Sequence, residues 1–421
     1  MHSPGVLSHS YTLTCSAAFV LGAALITATF TGCGGGHRSA IETFAEGVDG
    51  PIVIDATRFG AIADGRTDST AAFQSAIDEV ASRGGGTVII PPGKRPYLIS
   101  DALRITTDNV VLEGPGATIL MADDALNGEV IDCIEIRGTE DNPVEHVRVE
   151  GLTIDANYWN QPGAYNPRGI DVDDARNIVI DEVTITRAFV GLTFGKNTHY
   201  CDARDVTITA WHNDAFNASG DGVSGSCSNI RFIRCTAEDA YNGAHGGLPG
   251  ARNNAWEIED GAQNITLIDC VVRRCGGDGF AVRNHGGPGP VLTSDVRFER
   301  CIAEDVGQYG FKAVGNPAPN TVSGIHLIDC VSDAEAAFHK DIRDLRISGS
   351  TFSSEVVVGP VDRSVIRDSS IERLRVWAFD NDGHTEYETD VRLEGVELGS
   401  PISIHGDTSR VRTSPMSTAE H

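Results

Sequence analysis

The chain has 421 residues, of which 40% are hydrophobic, and its formal net charge is −26 at pH 7. Because such a charge repels phosphate, we expect neither nucleic acid nor an anionic membrane surface as a partner. An acidic polysaccharide stays open, since a local basic cleft can act against the net charge.

The N-terminal segment has the pattern of an export signal. The apolar run AAFVLGAALITATF at 17–30 is shorter than a typical membrane span and is followed by TGC and GGG. Small residues before Cys33 and glycines after it resemble a bacterial lipoprotein signal, which implies a lipid on Cys33. Phe30 stands where that pattern usually has an aliphatic residue, and no Lys or Arg precedes Arg38. We predict a signal at 1–33, a linker at 34–50, and a protein that is secreted or anchored at the periplasmic, outer-membrane or cell-surface side.

Residues 54–100 predict an amphipathic helix followed by a strand. Asp68 to Thr70 can cap a helix whose residues Phe73, Ile77 and Val80 share one face. Gly84–Gly86 would end that helix before a Val-Ile-Ile strand. Such a helix could cover the open end of a stack of repeats, as terminal units must.

A repeated segment of alternating apolar and polar residues fills the rest of the chain. It predicts half-buried strands and reads NIVIDEV from 177, NIRFIRC from 229, NITLIDC from 264, DVRFERC from 295 and GIHLIDC from 324. Cysteine ends four of the repeats, at Cys235, Cys270, Cys301 and Cys330. We interpret these thiols as core residues rather than metal ligands, because the chain has no CxxC pair. Pairing among Cys133, Cys201, Cys227 and Cys275 stays open.

A second strand in each repeat begins with a small residue and then a large apolar one. The large residues form a ladder: Ile170, Leu192, Phe216, Trp256, Phe280, Phe311 and Phe338. Two short strands in every 22 to 31 residues predict a parallel β-solenoid of about eleven coils at 51–407, with residues 408–421 as a disordered tail. A β-sandwich or propeller fits less well, because hairpin turn signals are sparse.

The motifs FGAIADGRTDSTAAFQSAI at 59–77 and GGGTVIIPPGKRPYLI at 84–99 resemble the pectate-lyase-like superfamily. The closest resemblance is to its rhamnogalacturonase/epimerase-like domain. It implies an all-β fold, a single right-handed parallel β-helix with an N-terminal cap helix at 54–100. The repeats extend this prediction to about residue 406.

Residues that flank the ladder should point outward, because side chains alternate along a strand. The first outward column reads Asp171, Thr193, Asn217, Glu257, Ala281, Lys312 and His339. The second reads Asp173, Gly195, Ser219, Glu259, Arg283, Val314 and Asp341. Carboxylates and cations therefore gather on one sheet face, over a length that suits a few sugar units.

Long glycine-rich loops enter and leave the strand that carries Glu257, and they carry His245 and His285. These histidines, Asp171, Asp341 and Trp159 are candidate substrate contacts. Surface histidines and packing of the tryptophan loop are the alternatives.

Asn217, Glu257 with Glu259, and Arg283 resemble the site of the calcium-dependent dermatan-sulfate and alginate lyases on this fold. The resemblance implies Ca²⁺ at Asn217, Glu257 and Glu259, and β-elimination at a uronic acid. Those lyases place a lysine five residues after the second glutamate, where this chain has Asn264. The base is therefore open among Lys312, His339 and His285.

We predict a monomeric polysaccharide lyase whose catalytic candidates are Arg283, Lys312, His339, Glu257 and Glu259. Glycoside hydrolysis by paired carboxylates is one alternative, although the polygalacturonase motifs are absent. A C5-epimerase would share most of the lyase site. A surface protein that only binds glycans is the remaining alternative, in which the charged columns are merely solvated.

Overall fold

The computed structural model describes residues 52–125, 132–161, 167–240, 253–285, 291–315, 321–340, 342–377, 389–406 and 411–414. They form a right-handed β-helix in which every pair of named strands is parallel. Each coil contributes to three rows of strands, here called ladders 1, 2 and 3. The all-β fold expected from the sequence is confirmed.

Ladder 1 is a separate sheet of 17 strands. Its strands are Val53–Asp55, Gly86–Ile89, Val110–Glu113, Val144–Glu145, Arg148–Glu150, Ala175–Arg176, Val179–Asp181, Thr198–Arg204, Cys227–Ile233, Gln263–Ile268, Leu292–Glu299, Thr321–Ile328, Ile342–Ser348, Val361–Asp362, Ser364–Arg367, Val391–Glu394 and Val411–Ser414.

Ladders 2 and 3 belong to one 22-stranded sheet, because two long strands, Thr351–Val358 and Ser370–Trp377, run through both. The other strands of ladder 2 are Tyr97–Ile99, Thr118–Met121, Thr153–Asp155, Thr184–Thr186, Thr207–Thr209, Thr236–Glu238, Val271–Cys275, Ile302–Val306, Val331–Ser332 and Glu397–Leu398. Those of ladder 3 are Leu103–Ile105, Ile134–Arg137, Arg168–Asp173, Val190–Phe194, Asp214–Ser219, Asn254–Glu259, Phe280–Arg283, Tyr309–Val314, Glu335–His339 and Ser403–His405.

The predicted cap helix is Thr70–Ser82, and short 3-10 helices occupy Ala56–Phe59 and Tyr158–Asn160. Ser69 stands at the N-cap position without a side-chain capping bond, and Asp68 supports the first helical residue instead, since its Oδ1 accepts hydrogen bonds from the backbone N–H and the hydroxyl of Thr70. Phe73, Ile77 and Val80 are buried against the first strands. No described helix has the length and apolar character needed to span a membrane.

The corner between ladders 1 and 2 is a single residue in the left-handed region. Asp205, Asp269 and Asp329 have φ between 50° and 54° there, a region that aspartate tolerates better than most residues. Arg234 and Arg300 also adopt it, and each forms an ion pair with the aspartate of the preceding coil, Asp205 or Asp269. The turns are therefore tight enough to keep successive coils in register.

The aromatic ladder lies in the core beneath ladder 3. Phe216 and Trp256 stack with ring centroids 4.4 Å apart, and the Trp256–Phe280 and Phe280–Phe311 pairs follow at 4.9 Å each. The strand pairing aligns these residues as the sequence predicts. Stacked, fully buried rings of this size stabilise the coils on which the charged columns lie.

The predicted column of large apolar residues is wrong at its last member, Phe338. A bulge between Tyr309 and Phe311 shifts the register, so that Ala336 lies opposite Phe311 and Phe338 lies opposite Ala313. His339 consequently lies opposite Val314, in the second outward column and not the first. The sequence shows an apolar residue at both positions, so periodicity alone does not reveal the shift.

The four repeated cysteines are buried, as predicted, and all eight described cysteines are free thiols. The prediction of a disordered tail is wrong for Val411–Ser414, which pairs with Val391–Glu394 and extends ladder 1. Here the apolar residue Val411 continues the inward row opposite Val391.

Candidate active site

Polar residues of the two outward columns lie side by side on three successive strands of ladder 3. Pairing places Asn217 beside Glu257, Ser219 beside Glu259, and Glu259 beside Arg283. Lys312 follows one strand later, opposite Ala281. Neighbouring parallel strands lie about 4.8 Å apart, so these groups share one short stretch of surface.

Glu257 is the most enclosed acid of this group, with 5% of its surface exposed. Its Oε1 lies 2.5 Å from Arg283 Nε, and its Oε2 accepts a hydrogen bond of 2.6 Å from Asn254 Nδ2. The same amide nitrogen lies 3.3 Å from Asp214 Oδ1. Both oxygens of Glu257 are therefore engaged by the protein.

Asp214 forms a buried acidic pair with Glu257. Burial, followed by the charge of Glu259, raises the pKa of Asp214 to about 7. Burial and the charges of Asp214 and Glu259 raise the pKa of Glu257 despite the opposing charge of Arg283. Because ionising both groups in one buried space is costly, the pair retains a proton at neutral pH.

Glu259 lies two residues further, on the same side of the strand. Asn217 Nδ2 donates to its Oε1 at 2.9 Å, and His285 Nδ1 lies 3.1 Å from its Oε2. Although burial raises its pKa, the hydrogen bonds from His285 and Asn217 outweigh this and hold the pKa of Glu259 below its usual range. Glu259 is therefore a carboxylate at neutral pH.

His285 is held between two carboxylates. Its Nδ1 lies 3.2 Å from Asp260 Oδ2, and its backbone N–H donates to Asp260 Oδ1 at 2.7 Å. Hydrogen bonds to Asp260 and Glu259 raise the pKa of His285 to about 10. The imidazole is therefore a cation at neutral pH, and it is half exposed.

Oxygen and nitrogen donors here fit a cation. Ligand atoms of Glu257, Glu259 and His285 lie within 4.8 Å of one another. Asn217 could add its amide oxygen, because a half-turn of the amide exchanges its oxygen and nitrogen. Carboxylate and amide oxygens suit Ca²⁺, so Glu259 and Asn217 fit that ion. Glu257 would join them only by giving up its contacts with Arg283 and Asn254. In the structure, the imidazolium of His285 supplies the positive charge beside Glu259.

Lys312 is joined to the cluster through Asp278. Lys312 Nζ donates to Asp278 Oδ2 at 2.7 Å, and Arg283 Nη2 lies 3.5 Å from the same oxygen. Lys312 Nζ also lies 5.0 Å from the centre of the Tyr309 ring. One carboxylate therefore orients two cations whose side chains are only 15% and 20% exposed.

His339 lies beyond Lys312, in a cavity of about 250 Å³. Tyr309, Glu335, Lys340 and Trp377 also line this cavity. Burial, followed by the charges of Lys340 and Lys312, lowers the pKa of His339 to about 4. His339 is thus a neutral imidazole at physiological pH, which distinguishes it from His285, the other histidine among the candidates for the base.

A second cleft, of about 340 Å³, opens on the other side of the acidic cluster. Asp214, Asn217 and Glu259 line it together with Arg168 and Phe189. The protein therefore offers space on both sides of the cluster, along the direction in which the coils stack.

Asp171 does not fit the predicted role in substrate binding. Its side chain is 0% exposed, and its two oxygens contact Arg137 and Arg168. Burial beside these guanidinium groups makes Asp171 a positioning residue for Arg168, which lines the second cleft. Trp159 packs edge-on to Tyr158, with ring centroids 4.6 Å apart, and its ring centroid lies 5.9 Å from that of His212. Its contact with a substrate stays a prediction.

Three predicted residues lie outside the described part of the chain: His245, Asp341 and Cys33. Sequence reasoning also missed three residues that the structure places in the site: Asp214, Asn254 and Asp278. Each stands two positions before a ladder aromatic, where strict alternation predicts an inward side chain. The shared position of these polar residues in three successive repeats was the available signal.

The missed residues are buried, yet they contact the outward columns. Asn254 Nδ2 donates to Glu257 Oε2 and lies 3.3 Å from Asp214 Oδ1, and Asp278 Oδ2 accepts from Lys312 Nζ. Strict alternation therefore does not describe the start of these strands.

Comparison with known proteins agrees with this architecture. Residues 132–352 match the family model described as right handed beta helix region, and residues 53–142 match the one described as rhamnogalacturonase A/epimerase, pectate lyase-like. The first match covers more than half of the chain, so the protein belongs to the right-handed β-helix family.

Similar proteins include an epimerase, a lyase and a phage appendage protein. Mannuronan C5-epimerase AlgE2 of Azotobacter vinelandii is 33% identical over 60% of this chain and 24% of its own length. Alginate lyase 7 of the same organism is 34% identical over 25% of this chain and 13% of its own. The pre-neck appendage protein of Bacillus phage B103 is 24% identical over 65% and 32%. The chain thus spans a third or less of these relatives.

The solved structure of the Azotobacter vinelandii mannuronan C-5 epimerase AlgE6 A-module covers 87% of this chain and 100% of its own. The TM-score is 0.62 and the sequence identity is 17%. At this identity the likeness concerns the fold.

Proposed function

We propose that the protein cleaves a uronic-acid polysaccharide by β-elimination, beginning with removal of the proton next to the uronate carboxylate. The observation that carries the proposal is that a neutral His339 and Tyr309 line one cavity, while Lys312, on the strand next to that of His339, and Arg283 share the carboxylate of Asp278. The similarity to an alginate lyase and to mannuronan epimerases supports the substrate class.

Lys312 and Arg283 would bind the uronate carboxylate. Both are cations that Asp278 holds at the surface of the sheet. Pairing with the substrate carboxylate neutralises it, which makes the proton on the adjacent carbon more acidic and stabilises the charge that develops when this proton leaves.

His339 would take that proton. His285 is already protonated, since its pKa is raised to about 10, whereas the pKa of His339 is lowered to about 4. His339 also lies in the same cavity as Tyr309, next to the strand of Lys312. The carbon–hydrogen bond breaks, the proton moves to the imidazole, and the electron pair forms the new double bond as the glycosidic oxygen departs.

Tyr309 would protonate the departing oxygen. Burial, followed by the charges of Glu335 and Asp278, raises the pKa of its phenol, so the hydroxyl keeps its proton at neutral pH. Its ring lies beneath Lys312 and lines the His339 cavity. Acid and base are thus placed on adjacent strands.

Glu259 and Asn217 would hold Ca²⁺ beside this centre, and Glu257 would be the third ligand if it exchanged its contacts with Arg283 and Asn254 for the ion. When bound, the ion would supply further neutralisation of substrate carboxylates. Glu259 also contacts His285, and Asp278 contacts Arg283, so carboxylates of the chain orient both cations.

Epimerisation is the second candidate, because mannuronan C5-epimerases are among the similar proteins. It begins with the same proton removal and ends with a proton returned to the opposite side of the ring. Hydrolysis is less well supported, because both oxygens of Glu257 are held by Arg283 and Asn254. A glycosidic acid needs a free carboxyl group that reaches the bond.

The test combines two readouts on a panel of polyuronates. Ultraviolet absorbance reports the unsaturated product of elimination, and deuterium incorporation from D₂O reports proton exchange. We expect absorbance to rise with the wild type and not with Lys312→Met, whereas Lys196→Met, an exposed lysine paired with Glu140, should match the wild type. Deuterium incorporation without absorbance would assign epimerisation. Neither signal on any polyuronate would refute both.

We further propose that the protein is exported and carries a lipid on Cys33. The supporting pattern is the apolar segment followed by TGC in the sequence. Metabolic labelling with a radioactive fatty acid in a bacterial host should label the wild type and not Cys33→Ser. Label on both variants, or on neither, would contradict the lipid anchor.

A further inference from the structure

A basic groove lies on ladder 1, in the C-terminal coils of the β-helix. It has a volume of about 720 Å³. Its lining includes six arginines: Arg297, Arg346, Arg363, Arg367, Arg392 and Arg412. Three carboxylates, those of Asp344, Asp390 and Glu394, also line it. The groove is therefore rich in guanidinium groups, although the whole chain carries a charge of −26.

The strand register puts four of these arginines in one column. Arg297 pairs with His326, His326 with Arg346, Arg346 with Val365, Val365 with Arg392, and Arg392 with Arg412. Because each step along a parallel sheet is about 4.8 Å, the guanidinium groups recur along a straight line. His326, which stands between Arg297 and Arg346 in this column, is neutral at neutral pH, because burial, and then the charge of Arg346, lowers its pKa.

These arginines remain available to a ligand. Arg297, Arg346 and Arg392 each contact an acid two residues away on their own strand, and their side chains are 44%, 58% and 58% exposed. Within the described residues, Arg367 and Arg412 have no carboxylate at ion-pair distance. An exposed pair of this kind contributes little to stability, so exchanging the internal carboxylate for one from a ligand costs little.

Earlier coils of ladder 1 are different. Arg231 donates two hydrogen bonds of 2.6 Å to Asp202, whose side chain is only 4% exposed. Arg204 contacts the same buried acid. The excess of exposed guanidinium groups is therefore a property of the C-terminal coils and not of ladder 1 as a whole.

We propose that this groove binds an extended segment of an anionic polysaccharide, outside the catalytic face. A guanidinium group matches a carboxylate in planar, two-point geometry. A linear array of them suits a polymer whose carboxylates also recur regularly. The remaining acids of the groove and the negative field of the chain disfavour the denser charge of nucleic acid. The choice of polyuronate rests on the proposed function, but the binding itself does not.

The test measures binding by affinity electrophoresis in gels that contain polymannuronate, with neutral dextran gels as the reference. We expect the double variant Arg346→Glu/Arg392→Glu to bind about tenfold more weakly than the wild type or worse, because two charge pairs become repulsive. The milder Arg346→Gln/Arg392→Gln should lose part of the affinity, and circular dichroism checks that both variants fold. The matched control is Arg234→Glu/Arg300→Glu, which changes the same charge at exposed corner positions.

The outcomes separate this site from the catalytic one. His339→Gln should lower the rate of product formation by about 10²–10⁴-fold and keep wild-type retardation in the gel. Equal retardation of the groove variants and the wild type would overturn the proposal. It would also be overturned if Arg234→Glu/Arg300→Glu lost as much affinity as Arg346→Glu/Arg392→Glu. Stronger retardation by single-stranded DNA than by polymannuronate would overturn the assignment of the ligand. Retardation without any product from the wild type would refute the proposed reaction and leave the groove assigned.

Discussion

Two faces of the same β-helix arrange charge in opposite ways. On ladder 3, three acids are almost fully buried: Glu257, Asp214 and Asp278. Glu257 and Asp214 contact the same amide, that of Asn254, and Asp278 contacts two cations, Arg283 and Lys312. On the C-terminal part of ladder 1, Arg346 and Arg392 are more than half exposed, and each has its own acidic neighbour. A buried, shared arrangement shifts pKa values and fixes geometry, whereas an exposed array of separate pairs favours exchange with a ligand.

The largest difference expected between the two faces is in catalysis. His339→Gln removes the proposed base, and we expect a loss of about 10²–10⁴-fold in the rate of product formation, the range typical of a positioned acid or base. The measurement is kcat/KM on a polyuronate that the wild type cleaves.

The matched control for this prediction is His199→Gln on ladder 1. Burial lowers the pKa of His199 as well, and its Nδ1 lies 2.8 Å from Ser228 Oγ, on the sheet away from the proposed site. A comparable loss in both variants would show that the effect is structural. Wild-type activity in His339→Gln would remove His339 from the mechanism.

The next largest difference between the two faces should be in the stability lost when one acid is removed from each. Glu257→Ala removes the nearer of the two carboxylates of Arg283 and leaves Asp278, 3.5 Å from its Nη2, so we expect the free energy of unfolding to fall by about 1–3 kcal/mol. Glu394→Ala removes the partner of the exposed Arg392 and should cost about 0–1 kcal/mol. Denaturant unfolding of both variants measures the difference. Equal costs would mean that the two environments are energetically alike.

A pH profile tests the buried acidic pair. The raised pKa of Asp214, about 7, means that the folded protein binds this proton more tightly than the unfolded chain does. This contribution to stability is fully present below the unfolded pKa, near pH 4, and is lost as the pH rises to about 7. Asp214→Asn keeps a neutral group, so its stability relative to the wild type should increase by roughly 2–4 kcal/mol over this window.

Asp344→Asn on ladder 1 is the control for the pH profile, because Asp344 forms an exposed pair with Arg346. Its stability relative to the wild type should not show the same increase. Parallel profiles for the wild type and Asp214→Asn would show that Asp214 binds no extra proton in the folded protein.

The addition of Ca²⁺ should have the smallest effect on stability. This effect should depend on Glu259 of ladder 3 and not on acids of ladder 1. If Glu259 is a ligand, a concentration 100 times Kd stabilises the folded state by about 2.7 kcal/mol. We expect Ca²⁺ to raise the Tm of the wild type, chelator to reverse this, and Glu259→Gln to abolish it. Glu394→Gln should respond as the wild type does. A Tm that ignores Ca²⁺ in the wild type would refute the ion site.

The sequence predicts the stack of coils because its residues alternate and its large apolar residues recur. That is why Phe216, Trp256, Phe280 and Phe311 align as expected. The same columns bring Asn217, Glu257, Glu259 and Arg283 together. Periodicity does not predict the bulge at Tyr309, which moves His339 by one column, since hydrogen-bond register depends on the neighbouring coil. Nor does it predict that Asp214, Asn254 and Asp278, which stand at inward positions of the alternation, contact Glu257 and Lys312.

Charge environment is the other feature that the sequence does not determine. Glu257 and Glu259 are two residues apart and chemically identical, yet their pKa values move in opposite directions. The difference arises from Asp214 on one side and His285 on the other, groups that are 43 and 26 positions away from these glutamates in the chain. Only the three-dimensional contacts reveal it.

The described strands pair with those of the preceding and following coils, so the protein is built in one direction from interchangeable layers. A duplication or loss of one coil between Glu257 and Lys312 would change their separation by about 4.8 Å and keep the same pattern of backbone pairing. Evolution could therefore retune which stretch of polymer fits this face in discrete steps, without inventing new side-chain chemistry.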